Sequence, residues 1–225
     1  NNKENKLKEK AKFRVGLTMR ISNEVAYSEK RDALAHDWSK LLKLYLPNIS
    51  WMSLPNLGRE TVAYAKEWGI QGILLTGGND LGTMPERDKA EEGLISYALD
   101  QNLPAFGVCR GMQMIQSYFQ GKIQTMDDES HIDTTHPVCF LDSKIEFSMK
   151  TVQLPKTIEV NSFHKFCIPK NTIAEPLRVL ACDDNGRVEA LCHPSMNMVG
   201  VMWHPERYKI PNKIDIEIMK AMFCL

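Results

Sequence analysis

Gly107-Val108-Cys109-Arg110-Gly111-Met112-Gln113 places a cysteine between glycines, directly after the apolar run Leu103-Pro104-Ala105-Phe106. The spacing predicts a strand ending at Val108, a sharp reversal at Cys109 and a helix starting near Arg110. A side chain on either flank would clash in so tight a turn, which is why glycine is needed there. Cys109 then stands alone at the strand tip. The unpaired N–H groups and positive dipole end of the following helix favour thiolate over thiol, as a nucleophilic sulfur requires near neutral pH. A buried structural cysteine beside a βα turn is the plain alternative, and it loses weight only if partners for the sulfur occur elsewhere.

Such partners occur in Gly200-Val201-Met202-Trp203-His204-Pro205-Glu206, where an apolar strand over 198–203 runs into a histidine, a proline and a glutamate. Thiol chemistry needs a base that takes the sulfur proton and returns it to a leaving group, and imidazole suits that role near pH 7. Glu206, two residues on and separated by the rigid Pro205, can hold the ring nitrogen that does not face sulfur. A third segment, Ile73-Leu74-Leu75-Thr76-Gly77-Gly78-Asn79-Asp80, is another apolar strand ending in paired glycines. Attack on an amide carbonyl puts negative charge on oxygen, which two fixed backbone N–H donors can stabilise. The N–H groups of Gly78 and of Arg110 are the candidates.

Around these segments, strand-like and helix-like patterns alternate. Residues 13–19 read as a first strand and 29–46 as a helix, with Leu34, Trp38, Leu41, Leu42 and Tyr45 on its apolar face. A short strand over 49–54, a helix over 59–68, a buried strand over 70–75 and a helix over 86–101 lead to the strand before Cys109, whose helix runs to about Phe119. This order predicts an α/β fold, a mostly parallel sheet with helices on both faces, with active groups at the carboxyl ends of strands. The later half, 122–202, is richer in short strands and turns, among them a hairpin at Asp183-Asp184-Asn185-Gly186. A helix over 213–223 closes the pattern.

At 225 residues and 43% hydrophobic, the chain can bury one sizeable core. Lys+Arg and Asp+Glu both number 28, so the net charge is zero and bulk charge offers no hold on nucleic acid. No apolar run approaches the roughly 18 residues that span a bilayer. The six cysteines, at 109, 139, 167, 182, 192 and 224, contain no Cys-x-x-Cys pair, so a cytoplasmic protein with free thiols is expected rather than a disulfide framework. Residues 1–12 read as a charged tail, or as a linker to a preceding domain, and 13–225 as one catalytic domain. His131 and His136 fall in a polar, turn-rich stretch with Asp127, Asp128, Glu129 and Asp133, read here as a solvated loop with no metal-ligand spacing. Met112 and Met114 read as core filler.

The three segments around Gly78, Cys109 and His204, in this order, resemble the class I glutamine amidotransferase and γ-glutamyl hydrolase superfamily over residues 13 to about 206. The resemblance implies a flavodoxin-like three-layer sandwich. It also implies a Cys109-His204-Glu206 triad, with Gln113 helping to hold a glutamyl group and with neither a metal nor an organic cofactor required. Val160-Asn161-Ser162-Phe163-His164-Lys165 resembles the Asn-Ser-x-His segment of the peptidase C26 type, which implies that Ser162 and His164 face the site. Residues 31–38, preceded by Arg20 and Tyr27, form no more than an amphipathic helix when read alone. Together with Gly77-Gly78-Asn79-Asp80-Leu81, they look like the γ-glutamyl-CDP-amidate hydrolases, which serve phosphoramidate decoration of bacterial capsules. That likeness implies a phosphate-bearing γ-glutamyl substrate that Arg20, Arg31 or Arg110 could meet. A γ-glutamyl amine such as γ-glutamyl-GABA, or glutamine hydrolysed for a synthase partner, are the other implied substrates.

Overall fold

The computed structural model describes residues 12–126 and 131–223. Its first half alternates as expected. Strand β1 (Phe13–Thr18) leads to a small hairpin, β2 (Arg20–Asn23) and β3 (Lys30–Ala33), then to helix α1 (His36–Tyr45) and β4 (Ile49–Leu54). Helix α2 (Thr61–Glu67), β5 (Gly72–Leu75), α3 (Pro85–Gln101), β6 (Ala105–Val108) and α4 (Arg110–Tyr118) follow. The second half is strand-rich: β7 (Gln124–Thr125), β8 (Ile132–Phe140), β9 (Lys144–Phe147), β10 (Lys150–Gln153), β11 (Thr157–Phe163), β12 (Phe166–Cys167), β13 (Arg178–Cys182), β14 (Val188–Cys192) and β15 (Met198–Val201), before α5 (Lys213–Met222).

Among the described residues, nine strands form the central sheet in the order β11-β8-β13-β14-β15-β6-β5-β1-β4. From β4 to β15 all neighbours are parallel, whereas β14, β13, β8 and β11 pair antiparallel. Strands β5, β6 and β15 are buried at every residue, as parallel strands covered on both faces must be. One apolar cluster packs α1 and α5 on one face through Trp38, Leu41, Leu42, Ile218 and Met222. The other packs α2, α3 and α4 on the opposite face through Ala65, Leu94, Ile95, Met112 and Ile115. The three-layer expectation therefore holds, and Met112 and Met114 are core residues.

Two expectations change. The helix expected over 29–46 starts only at His36, because residues 30–33 pair with β2 as an antiparallel ribbon. Lys30, Arg31 and Asp32 are exposed, and Asp32 accepts hydrogen bonds from the Asn56 backbone N–H (2.9 Å) and side-chain amide (2.7 Å), so this stretch has no apolar face to bury as a helix. The helix expected over 59–68 opens with a 3-10 turn over Gly58–Glu60 before α2. The hairpin at 183–186 connects β13 and β14. Asp183 Oδ1 accepts from the N–H groups of Asn185 (3.0 Å) and Arg187 (2.7 Å), and Gly186 takes the positive φ that the turn requires. Cys109, Cys139, Cys182 and Cys192 are free thiols, while Cys224 and the tail up to residue 11 lie outside the described residues. Among the described residues no helix is long and apolar enough to cross a membrane.

Candidate active site

Cys109 sits between β6 and α4 with φ 52° and ψ −107°, a conformation costly for any residue with a side chain. The surroundings fix it. Its N–H donates to Val201 O on β15 (2.8 Å), and its carbonyl accepts from Gln113 N–H (3.0 Å). A methyl on Gly111 would lie 2.3 Å from Leu75 O, and one on Gly107 would lie 2.7 Å from the Gly111 backbone, so both flanking glycines permit helix-to-strand contact that no other residue could.

His204 follows β15 and turns into the 3-10 turn Pro205–Arg207. Its Nδ1 lies 2.7 Å from Glu206 Oε1, which leaves Nε2 for the thiol. Burial works against the imidazolium, but hydrogen bonds and charge from Cys109 and Glu206 outweigh it and push the ring up to about 9. The ring comes so close to the β5 loop that a methyl on Gly77 would sit 2.7 Å from its Cε1. Gly77 is thus needed by the histidine, a demand separate from the oxyanion role expected of Gly78.

The segment after β5 is held by a residue the sequence reading passed over. Arg87, fully buried on α3, donates to the carbonyls of Thr76 (2.7 Å), Gly77 (3.2 Å) and Gly78 and to Asn79 Oδ1 (3.2 Å). With those carbonyls turned toward Arg87, the strand end is fixed as a unit. Its Nε donates to Glu91 Oε1 (2.9 Å), while Glu91 Oε2 accepts from Arg110, whose other terminal nitrogen pairs with Asp88. One carboxylate therefore ties the Gly78 loop to the residue after Cys109. Burial opposes the Glu91 anion, but the Arg110 and Arg87 guanidiniums hold its carboxyl below the usual range. The Arg110 side chain is 1% exposed and committed to carboxylates, so it is no phosphate ligand. The carboxylates it meets are Glu91 and Asp88, whereas Asp80 pairs with Lys165 (2.8 Å).

A second overlooked residue is Asn161 on β11. Its Oδ1 accepts from His204 N–H (2.8 Å) and its Nδ2 donates to His204 O (2.9 Å), a two-bond clamp on the backbone of the histidine. It stood in the quoted Asn-Ser-Phe-His segment, yet that segment pointed to its neighbours. Ser162 is fully buried and donates to His131 O (2.8 Å) instead of facing the cleft.

Cys109, Gly78, Arg110, Gln113, His164, His204 and Arg20 line one cleft of about 330 Å³, together with Asp80, Phe163, Lys165 and Arg207. Gln113 is buried, with Nε2 3.6 Å from Met202 Sδ. The Arg20 guanidinium lies against Gly78, where a Cβ would approach it to 2.6 Å. Arg207 stacks over the Phe163 ring (4.3 Å), which meets His204 edge-on. Arg31 is not in this cleft. It pairs with Glu24 (3.4 Å) and Glu29 on the β2–β3 ribbon, the same pairing that displaced the expected helix.

The solvated-loop reading of the histidines also changes. His131 is 3% exposed, and with His136 and His164 it surrounds the buried carboxylate of Glu189 on β14. Burial pushes His164 down to about 3 and Glu189 well up. His164 is therefore a neutral ring and offers a substrate carboxylate no charge.

The sequence profile of the Peptidase C26 family matches residues 51–206. The chain is 35% identical over 217 residues, 94% of its length, to γ-glutamyl-CDP-amidate hydrolase of Campylobacter jejuni, of which it covers 98%. Among solved structures, the glutaminase domain of Trypanosoma brucei CTPS with bound acivicin superposes with a TM-score of 0.66 at 17% identity, covering 93% of each chain. A glutamine amidotransferase from Thermotoga maritima gives 0.62 at 15% identity, covering 86% of this chain and 76% of that one. At such identities these likenesses show a shared glutamine amidotransferase fold.

Proposed function

This chain belongs to the Peptidase C26 family, and from that premise we propose that it hydrolyses a γ-glutamyl amide through a thioester on Cys109. The observation that carries the reading is the strained cysteine at the β6–α4 turn, meeting a histidine whose far nitrogen is held by Glu206. His204, raised to about 9, can take and hold the sulfur proton. The sulfur attacks the γ-carbonyl, and the N–H groups of Gly78 and Arg110 take the charge that develops on oxygen. Collapse breaks the C–N bond, with the His204 proton passing to the leaving nitrogen. Water then attacks the thioester, giving its proton to His204, and glutamate departs as the thiolate and imidazolium reform. Glu206 holds the ring throughout.

For the leaving group the reading is a nucleotide phosphoramidate, with γ-glutamyl-CDP-amidate as substrate and cytidine diphosphoramidate and glutamate as products. Support comes from the 35% identity over nearly the full length of both chains, and from the cations Arg20, Lys165 and Arg207 on the cleft. Anionic phosphates suit such a rim, and Arg20 is the candidate for paired N–H contacts. A cytoplasmic place in capsule phosphoramidate synthesis follows from that substrate.

The test is glutamate release from γ-glutamyl-CDP-amidate, γ-glutamyl-GABA and glutamine, with Cys109→Ala as the blank. The expected result is preference for the nucleotide substrate by at least about tenfold in kcat/KM, and loss of activity to background in the variant. Arg20→Ala should raise KM for the nucleotide substrate alone. Preference for γ-glutamyl-GABA would replace the leaving group, whereas turnover of glutamine alone would indicate a glutaminase serving a synthase. Turnover by Cys109→Ala within a few-fold of wild type would overturn the mechanism.

A further inference from the structure

Below the cleft, three imidazoles converge on one buried carboxyl group whose oxygens have no hydrogen-bond partner among the described residues. His131 Nδ1 lies 3.3 Å from His164 Nε2, and both lie 3.7 Å from Glu189 Oε1. His136 Nε2 stands 3.8 Å from Glu189 Oε2. Among the described residues, His136 Nε2 and both oxygens of Glu189 are buried and have no hydrogen-bond partner, and Glu189 is 1% exposed. Orphaned buried acceptors of this kind each cost on the order of 1–3 kcal/mol and need an explanation.

The outer nitrogens explain which atoms are left over. His164 Nδ1 lies 2.8 Å from Phe166 O and His136 Nδ1 3.1 Å from Pro137 O, contacts that only an N–H on each Nδ1 can make. His131 Nε2 faces Asp183 Oδ2 at 3.2 Å, which leaves Nδ1 turned toward His164 and Glu189. His164 and His136 thus spend their N–H outward on a carbonyl and turn a lone pair inward, and His131 turns Nδ1 the same way. Two inward lone pairs, His131 Nδ1 and a buried carboxyl group thus crowd one point, where a cation would serve them all. This is the outer support that orients metal-binding histidines, where a carbonyl or carboxylate fixes the tautomer.

We propose that His131, His136, His164 and Glu189 hold one divalent first-row transition metal ion, of which Zn²⁺ is the best fit. The donor set of three imidazoles and a carboxylate suits zinc and argues against magnesium or calcium, which take oxygen ligands. The spacing fits as well. Zinc bonds of about 2.0–2.1 Å in a tetrahedron put ligand atoms about 3.3–3.4 Å apart. The four side chains offer donors all within 4.8 Å of one another, with one pair already at 3.3 Å. The ion would join the residue before β8, β8 itself, the β11–β12 connection and β14. With four protein ligands the site is closed, so its role is to hold this wall of the cleft. It also places net positive charge where Glu189 otherwise opposes the Cys109 anion, since the two interact electrostatically.

Metal content of the purified full chain, grown in zinc-replete medium and desalted, tests this directly. About one ion per chain is expected by mass spectrometry. Chelator-stripped protein titrated with Zn²⁺ alone should regain one tight site and unfold at higher temperature. Glu189→Gln and His136→Gln, which preserve size, should each weaken that site by at least about tenfold. Because a catalytic thiol also attracts zinc, the same measurements on Cys109→Ala are decisive: the site should persist. X-ray absorption on the wild-type protein covers the case in which neither ligand variant folds, with a nitrogen and oxygen shell and no sulfur expected. Less than about 0.1 ion per chain with no tight site on titration, a site lost in Cys109→Ala, or a zinc–sulfur shell would each overturn the proposal. The cluster would then be a proton-sharing network.

Discussion

The parallel half of the sheet, β4 to β15, and the antiparallel half, β14 to β11, reach the same histidine from opposite sides, and they treat buried charge in opposite ways. On the parallel side, Arg87, Glu91, Arg110 and Asp88 form a network in which every nitrogen and carboxylate oxygen except Arg110 Nε has a partner. On the antiparallel side, Glu189, Asp183 and His136 each keep an orphaned atom below the cleft. Paired charges fix a backbone; a cluster of unpaired ones needs another explanation. The difference teaches that the parallel half is a finished scaffold under Cys109 and the Gly78 loop, whereas the antiparallel half holds His204 through Asn161 and carries the proposed metal site.

The strongest way to break this division is to remove the charge that joins the two halves at His204. Glu206→Gln should lower kcat by roughly 10²–10⁴, because an amide neither stabilises the imidazolium nor enforces the productive tautomer. The pH profile carries the more specific signature. His204 is raised to about 9, so the imidazolium persists through neutral pH and is lost only as pH rises through 9. Its contribution to stability is likewise present below the ordinary histidine pKa and disappears over that upper window. In Glu206→Gln the alkaline limb of kcat/KM should move to lower pH, and an unmoved limb would deny Glu206 the orienting role.

Next in size is the scaffold itself. Glu91→Gln leaves two buried guanidiniums short of their shared anion and should cost about 3–5 kcal/mol of stability, read from urea unfolding at pH 7. Arg110→Lys should also show its loss in unfolding, without a selective rise in KM for a phosphate-bearing substrate. A selective rise would contradict the burial of that side chain. The matching change in the antiparallel half is Asn161→Ala, which removes both bonds to the His204 backbone. It should lower kcat about tenfold or more with little change in KM, since the clamp positions the base without touching substrate. If kcat were unchanged, His204 would be held adequately by Glu206 alone.

The same contrast explains what was legible in the sequence. The parallel half announces itself through local signals: apolar runs that end in glycine at Gly77-Gly78 and at Gly107, and a cysteine at the strand tip. Each is a property of consecutive residues, so Cys109, His204, Glu206 and Gly78 can be read without a fold. Arg87 and Glu91 could not be, because an arginine and a glutamate four apart on a helix resemble an exposed ion pair until α3 is packed against the β5 loop. The cluster around Glu189 is less legible still. Its donors come from positions 131, 136, 164 and 189, which antiparallel pairing between β8, β13 and β14 brings together and no sequence spacing reveals. Arg31 failed for a related reason: the hairpin that carries it depends on pairing between β2 and β3, which hydrophobic periodicity does not report.

The smallest expected effect comes from Asp215 on α5, beside Trp203 and near Glu206. Asp215 is fully buried, accepts from Trp203 Nε1 (3.0 Å) through one oxygen and has no hydrogen-bond partner for the other. Burial, reinforced by the nearby Glu206 charge and only partly offset by the indole, raises its carboxyl to about 7. A raised carboxyl stabilises the fold fully below the unfolded value near 4. That contribution falls away as pH rises toward 7, because the unfolded chain releases a proton that the folded chain retains. Asp215→Asn keeps the acceptor for Trp203 and removes the titration. Near pH 4 the variant should be equal to wild type or slightly weaker, while near pH 8 it should be more stable by about 1–2 kcal/mol, the gap opening between those values. Parallel curves of unfolding free energy against pH would mean that Asp215 is ionised in the folded protein at neutral pH. The Glu206 carboxylate would then have a second anion at its back, and the His204 imidazolium would owe part of its stability to α5 as well as to the two halves of the sheet.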